Sequence, residues 1–274
     1  MSLSLSSYFE QARKNASNHV NILRDFRYFL SSIGIVKSSI VLEDDLVLSK
    51  VKEEAVKDFF FKYLIGIPLD YILNESSFFG YSFYVDKRVL IPRPETELLV
   101  EEILSFSLEE NAKIVEVGTG SGCIAISLAL LKPNFKIIAS DISSSALEVA
   151  LLNLKKHKPN NLLLVYSDWL TYAKPSSIDL VVSNPPYLKL TDPHLSELSN
   201  EPVQALVSPG GTKSFFDISN QAMIALKPGG IIIYEHGCFQ QNEVVGVLKE
   251  SGFSNIQTIK DFQGLDRIVY GYKC

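Results

Sequence analysis

Cysteine is scarce in this chain. There are three, Cys123, Cys238 and Cys274, an odd number at wide spacings with no Cys-x-x-Cys and no Cys/His cluster. That pattern excludes a disulfide scaffold and a structural zinc site. Long apolar runs are missing too: none approaches the ~18 residues of a membrane span. The opening Met-Ser-Leu-Ser-Leu-Ser-Ser lacks a basic stretch followed by an apolar core, so a cytoplasmic protein is expected. Positive charge is not in surplus. Lys and Arg number 26 against 31 Asp and Glu, a formal net charge of -5. This argues against holding nucleic acid mainly by neutralising phosphates. No internal repeat or low-complexity tract stands out. What is present is an ordinary globular balance, 46% hydrophobic and 21% charged over 274 residues, enough for one large domain or two of unequal size.

Three regions differ in periodicity. Residues 1–73 read as helical. Ile22, Leu23, Phe26, Phe29 and Leu30 share one helical face within Val20–Ile35, and Val51, Ala55, Phe59 and Tyr63 recur every fourth residue before Gly66-Ile67-Pro68 breaks the pattern. Between 74 and 94 the period changes. Phe79, Tyr81, Phe83 and Val85 alternate, Asp86-Lys87 offers a turn and Arg88 to Ile91 follows, which predicts a β-hairpin joining two domains. Pro92-Arg93-Pro94 ends it, and Glu95-Thr96-Glu97 opens a helix with an acidic first turn.

From 95 to 274 strand-like and helix-like segments alternate. Runs at Lys113–Val117, Lys136–Ser140, Leu162–Tyr166, Ile178–Ser183 and Gly230–Glu235 are apolar enough to be buried on both faces. Helical segments follow at Cys123–Leu131 and Ser144–His157. The fold class is therefore α/β, a doubly wound and mostly parallel sheet. The final runs, near Ile256–Ile259 and Arg267–Tyr272, are too close for a crossover helix, so one of them runs antiparallel.

Chemistry concentrates at strand ends. Glu116-Val117-Gly118-Thr119-Gly120-Ser121-Gly122 sits where the first parallel strand gives way to a helix, and its glycines let a ligand approach the backbone. Gly120 to Ala125 also satisfies G-x-G-x-x-G/A, so spacing alone leaves a nicotinamide cofactor and S-adenosylmethionine both open. Asp141 follows the next strand, 19 residues beyond Gly122, where a carboxylate can accept both ribose hydroxyls or cap the following helix. After the third strand, Asp168 can accept from an exocyclic amine. Trp169, the one Trp in the chain, offers a flat wall for a purine or packs in the core. After the fourth comes Asn184-Pro185-Pro186-Tyr187. Two prolines stiffen the turn, so the Asn184 oxygen and the Pro185 carbonyl form a rigid pair of acceptors for a planar NH2, with Tyr187 against its flat face.

This ordered set resembles the class I S-adenosylmethionine-dependent methyltransferases that modify planar amino nitrogens. Ile91-Pro92-Arg93-Pro94-Glu95-Thr96-Glu97 and Gly66-x-Pro68-Leu69-x-Tyr71-Ile72 are similar to the HemK/PrmC family, which methylates the glutamine of the Gly-Gly-Gln motif in peptide-chain release factors. The likeness runs from about Gly66 to the C-terminus and includes Glu201-Pro202, Glu235-His236-Gly237 and Asp266-Arg267. It departs at Lys62-Tyr63, where paired arginines are common, and at Cys238-Phe239.

The resemblance implies a Rossmann-like domain with a seven-stranded sheet, one strand antiparallel, behind an N-terminal helical bundle that recognises the protein substrate. It implies that Glu116, Gly118, Thr119, Gly120, Ser121, Gly122, Asp141, Ile142, Asp168, Trp169 and Asn184 bind S-adenosylmethionine, leaving S-adenosylhomocysteine as product. Asn184, Pro185, Pro186 and Tyr187 would then carry the transfer, with Arg93 and Glu97 touching substrate. No metal, membrane or direct nucleic-acid substrate is expected. The alternatives are a ribosomal-protein glutamine methyltransferase, which the Pro94-Glu95-Thr96-Glu97 continuation disfavours, and a DNA adenine amino-methyltransferase, which net acidity disfavours. The polar segment Leu188–Gly211 reads as a wall or lid beside the pocket. His236 reads as structural, and Cys123 as a packed hydrophobe rather than an activated thiol.

Overall fold

The computed structural model describes residues 4–274, so the first three positions of the expected helical region lie outside it. It divides into two compact units that meet in sequence at Glu75 and Ser76. The first unit holds α1 (Leu5–Asn15), α2 (Ile22–Ser32), α3 (Lys37–Leu42), α4 (Lys50–Leu64) and α5 (Leu69–Leu73). Its core is aromatic: Tyr8, Phe9, Phe26, Phe29, Phe59 and Phe60 are all buried, and the Phe29 and Phe59 rings stack with centroids 4.7 Å apart. On α4 the stripe inferred from every fourth residue holds at Phe59, with Ala55 and Tyr63 packed against the core, and fails at its start. Val51 is exposed, while Val56 and Phe60 also face inward. The 3.6-residue period rotates the face by about 40° over four residues, so a strict period of four drifts off the core.

The second unit opens with the hairpin, in a different register from the expected one. Its strands are β1 (Ser76–Phe78) and β2 (Tyr81–Phe83), with Phe78 paired to Tyr81. The turn falls at Phe79 and Gly80, with φ of 50° and 76°. A two-residue loop with positive φ at both positions matches the twist of the flanking strands, which Asp86-Lys87 does not provide. Asp86 instead closes a local turn on Arg88, accepting from its backbone N–H at 3.0 Å and its guanidinium at 2.6 Å, and residues 88–91 form no strand.

Then follow α6 (Glu97–Ser105), β3 (Lys113–Val117), α7 (Cys123–Leu131), β4 (Lys136–Asp141), α8 (Ser144–His157), β5 (Leu162–Tyr166) and β6 (Ile178–Ser183). The chain continues through α9 (Val203–Leu206), α10 (Lys213–Ala225), β7 (Leu226–Glu235), α11 (Gln241–Glu250), β8 (Phe253–Lys260) and β9 (Asp266–Lys273). Strands β3 to β9 form one seven-stranded sheet in the order β5-β4-β3-β6-β7-β9-β8. All neighbours are parallel except those of β9, which runs antiparallel to both β7 and β8.

Alternation divides the apolar side chains between the two faces of the sheet. Ile114, Leu180, Val182, Ile231 and Ile233 enter one core, and Val115, Val117, Val181, Ile232 and Tyr234 enter the other. Burial on both faces holds for the central strands but not for β5. It is one of the two edge strands, and Leu163 and Tyr166 are exposed there.

Strand order reverses between β3 and β6, the switch point beyond whose carboxyl ends α/β sheets leave a crevice. The expected motifs follow or end β3, β4, β5 and β6, and Glu235 ends β7.

Candidate active site

A cavity of about 300 Å³ occupies that crevice. Glu116, Gly118, Thr119, Gly120, Ser121, Asp141, Ile142, Asp168, Trp169, Asn184, Pro186 and Arg93 all border it, although they span four strand ends and more than 90 positions of sequence. A second cavity, of about 480 Å³, shares Leu90, Arg93, Asn184 and Ala205 with the first and is bordered by Tyr187, Glu235 and Arg267. Asn184 thus stands where the two spaces meet.

The glycine loop is built from positive backbone angles, 72° at Gly118, 55° at Gly120 and 83° at Gly122, which side chains tolerate poorly. A Cβ placed on Gly120 would meet no atom within 4 Å, so glycine leaves the space there to a ligand. Gly122 does something else. It does not border the cavity. A Cβ there would lie 3.1 Å from Ile126 Cδ1 and 3.4 Å from Ala150 Cβ, so its bareness lets α7 pack against α8.

Two acids hold this loop. Glu116 Oε2 accepts from Thr119 Oγ1 at 2.6 Å and from the Ala125 N–H at 3.1 Å, and burial pushes its carboxyl up to about 8, with the neighbouring Asp141 charge adding to the rise. Asp141 Oδ2 accepts from Gly120 N–H and Oδ1 from Ser143 N–H, both at 2.9 Å. Its pKa is raised by burial, against the pull of those backbone donors. The cap on α8 is Ser143, whose hydroxyl accepts from Ala146 N–H at 3.2 Å, rather than Asp141. The remaining lone pairs of Asp141 are left for the cavity.

Trp169 lies between cavity and core. Its ring borders the cavity, close enough that a Cβ on Gly118 would touch Cζ3 at 3.9 Å, and it also packs on the core beneath. Its φ of 48° is unusual for an aromatic residue, and the turn is held by Leu170 N–H donating to Gln221 Oε1 at 2.8 Å. Asp168 beside it is exposed.

Around Asn184 the arrangement is directional. Its Nδ2 donates to Thr96 Oγ1 at 3.2 Å, and Thr96 Oγ1 donates to Glu235 Oε2 at 2.6 Å. The Asn184 oxygen is the polar atom left over. Pro185 is buried and Pro186 borders the first cavity, while Tyr187 turns into the second, its hydroxyl 3.5 Å from Glu235 Oε1. The Tyr187 carbonyl accepts from Gln240 Nε2 at 2.9 Å, which fixes the far end of the turn. Burial, reinforced by the nearby Glu235 charge, raises the Tyr187 phenol well above its ordinary range, so it stays a donor.

The two substrate-facing candidates part company. Arg93 borders both cavities but is ion-paired with Glu201, a buried acid whose other oxygen accepts from Ile91 N–H at 3.0 Å. Glu97 borders neither. Its Oε1 accepts from Phe79 N–H at 2.7 Å and ties α6 to the hairpin turn, so the structure gives it a bracing position. His236 is fully buried, its Nδ1 2.9 Å from the Gly237 carbonyl, and burial lowers its pKa. Burial drives the Cys123 thiol far up, as suits a packed side chain. Among the described residues no group of three His, Cys, Asp or Glu is arranged to hold a metal ion.

Sequence reading missed four supports. Thr96, Glu235 and Glu201 lay inside quoted motifs without a role, and Asn153 passed as a helix position. Asn153 is buried, accepts from Tyr84 N–H at 2.6 Å and donates to the carbonyls of Tyr84 at 2.9 Å and Ser121 at 2.8 Å. A polar residue on the inward face of α8 was the available signal.

Comparison with known proteins identifies the family. The family model described as a methyltransferase small domain matches residues 94–213. The release factor glutamine methyltransferase of Neisseria gonorrhoeae is 41% identical over 213 residues, 76% of this chain and 77% of its own. That of Salmonella typhimurium is 32% identical over 252 residues, 90% of this chain and 91% of its own. The chain belongs to the release factor glutamine methyltransferase family. A methyltransferase structure from Pyrococcus furiosus shares the fold, with a TM-score of 0.54 at 17% identity over 79% of this chain and 96% of that one. Family membership agrees with the Rossmann-like architecture.

Proposed function

We propose that this chain transfers the methyl group of S-adenosylmethionine to the side-chain amide nitrogen of the glutamine in the Gly-Gly-Gln motif of peptide-chain release factors. The observation that carries the reading is Asn184, tied by its nitrogen to Thr96 at the meeting point of two cavities, which leaves an oxygen acceptor where a donor cofactor and a planar NH2 would meet. Membership of the family supports both the reaction and the protein substrate.

The first cavity suits the cofactor. Gly120 leaves room beside the loop, Asp141 offers free lone pairs for ribose hydroxyls, Trp169 supplies a flat wall, and Asp168 stands ready to accept from an amine. Bound there, S-adenosylmethionine supplies an electrophilic methyl on a sulfonium.

The chain's own residues then have to solve one problem: an amide nitrogen is a weak nucleophile because its lone pair is delocalised into the carbonyl. The Asn184 oxygen and the Pro185 carbonyl accept from the two N–H bonds, orient the nitrogen, and favour positive charge as it develops. Tyr187 flanks the group from the second cavity. The proton is lost after transfer, so no dedicated base is required. We assign the N-terminal helical unit, which exposes Tyr28, Phe61 and Ile65, to binding the release factor. Work on a ribosomal partner implies the cytoplasm, and no helix among the described residues is long and apolar enough to cross a membrane.

The test is to incubate the protein with methyl-labelled S-adenosylmethionine and, separately, a release factor, ribosomal protein and DNA, and to locate the label by mass spectrometry. Label on the Gly-Gly-Gln glutamine is expected, and Asn184→Ala should lower kcat while leaving cofactor affinity within about twofold. Label on DNA or on ribosomal protein, with none on the release factor, would overturn the assignment.

A further inference from the structure

Asn184 can serve as an acceptor only if its amide is the right way round. Flipped by 180°, the same side chain would present an NH2 to a substrate NH2, and the hydrogen bond would become a clash of donors. Nothing in Asn184 itself chooses between the two states. We propose that Thr96 and Glu235 act together as a positioning pair that locks the amide of Asn184 with its oxygen toward the substrate. This inference rests on the transfer reaction proposed above.

The direction of the lock follows from counting protons. Glu235 sits at the end of β7, 2% exposed, and as a carboxylate it can only accept. Thr96, 3% exposed, has one hydroxyl proton and spends it on Glu235 Oε2 at 2.6 Å. Its oxygen is left with lone pairs alone, so it accepts, and the group facing it at 3.2 Å must be the NH2 of Asn184. The polarity of the far carboxylate is thus passed through one hydroxyl to the reacting group. A hydroxyl backed by anything able to donate would lose this bias, because Thr96 could then accept from behind and donate forward to a flipped Asn184.

Protonation of Glu235 is such a loss. Burial lifts its carboxyl to about 7, against the hydroxyl of Thr96 and the positive charge of Arg267 on β9. Glu95, in the turn before α6, pushes it further up, and the Tyr187 hydroxyl pulls it down from the Asn-Pro-Pro-Tyr turn. His236, the first residue past the end of β7, turns its Nδ1 to the Gly237 carbonyl. As pH rises through about 7, Glu235 becomes an obligatory acceptor and the lock closes. As pH falls, the protonated acid can donate to Thr96 and the lock opens.

The experiment uses the full chain in two arms. In the kinetic arm, Thr96→Val keeps the shape and removes the hydroxyl. It should lower kcat about tenfold, with KM for release factor and cofactor affinity changed by less than about twofold, and it should abolish the acid limb near pH 7. Thr96→Ser should recover most of the lost turnover together with the limb. Glu235→Gln, nearly isosteric, should also flatten the limb, which covers the case in which the valine variant folds poorly.

The second arm needs no substrate. The side-chain amide signals of Asn184, assigned in a ¹⁵N–¹H spectrum by their absence from Asn184→Ala, should exchange with solvent more slowly in wild type and Thr96→Ser than in Thr96→Val. Equal exchange in all three, or wild-type kcat and pH profile in Thr96→Val, overturns the proposal. If the wild type puts no methyl on the Gly-Gly-Gln glutamine, the reaction assignment fails, and the exchange comparison still decides the lock.

Discussion

Asp141→Asn separates holding the loop from holding the ligand. Each carboxylate oxygen of Asp141 accepts one backbone N–H, from Gly120 and from Ser143, both at 2.9 Å. An asparagine retains one of these bonds and turns an NH2 toward the other donor. One mostly buried N–H left unpaired costs ~1–3 kcal/mol. For a unit of about 200 residues that is a fall in Tm of roughly 2–12 °C. The ribose role adds a second loss. Hydrogen bonds to a charged acceptor are worth ~1.5–3 kcal/mol, so cofactor Kd should rise by roughly 10- to 100-fold. Titration calorimetry with S-adenosylmethionine and S-adenosylhomocysteine, run beside thermal melts, reads both quantities. Asn153→Leu is the control, since it damages the same loop through the Ser121 carbonyl without touching the carboxylate. A lowered Tm with Kd inside twofold of wild type would reduce Asp141 to a brace and remove it from ribose binding.

Three further outcomes follow from the same contacts. Asn153→Leu itself leaves the Tyr84 N–H and the carbonyls of Tyr84 and Ser121 without their partner, and urea denaturation should show a loss of about 3 kcal/mol; under 1 kcal/mol would mean that water replaces all three bonds. Glu201→Ala orphans the Ile91 N–H and frees Arg93 at the junction of the two cavities, so stability should fall by ~1–3 kcal/mol and KM for release factor should shift; unchanged values of both would show the clamp to be idle. Glu116 holds a proton in the folded chain up to about pH 8, whereas its ordinary value is 4.5, so its contribution to stability is full below pH 4.5 and is lost as pH rises toward 8. Glu116→Gln keeps an acceptor for Thr119 and Ala125, so its Tm should fall less than that of wild type between pH 4.5 and about pH 8; parallel melting curves would contradict the buried protonated acid.

The architecture was legible in the sequence because each of its causes is local. Apolar runs of five or six residues, separated by helical periods, require a parallel sheet covered on both faces, and the short interval before the last strand forbids a crossover. Glycines at 118 and 120 need positive φ, and that need is written in the residue type. The misreadings share a cause as well. The hairpin turn went to Asp86-Lys87 on composition, when Phe79 and Gly80 had the backbone angles the strand twist demands. β5 looked like the other strands, because nothing within five residues tells an edge from a centre.

Which groups meet was decided only by the tertiary structure. Residue order alone specifies the succession of strand-end motifs, the glycine loop and the Asn-Pro-Pro-Tyr turn, and with them the class of chemistry. It could not say that Thr96, Asn184 and Glu235 form one chain of hydrogen bonds, since they lie up to 139 positions apart and meet only because β6 and β7 are neighbours and the turn before α6 reaches them. Nor could it move Glu97 out of the pocket or Arg93 onto Glu201. Residue types and spacings fix what a side chain is able to do, and burial with its neighbours fixes which of those things it does.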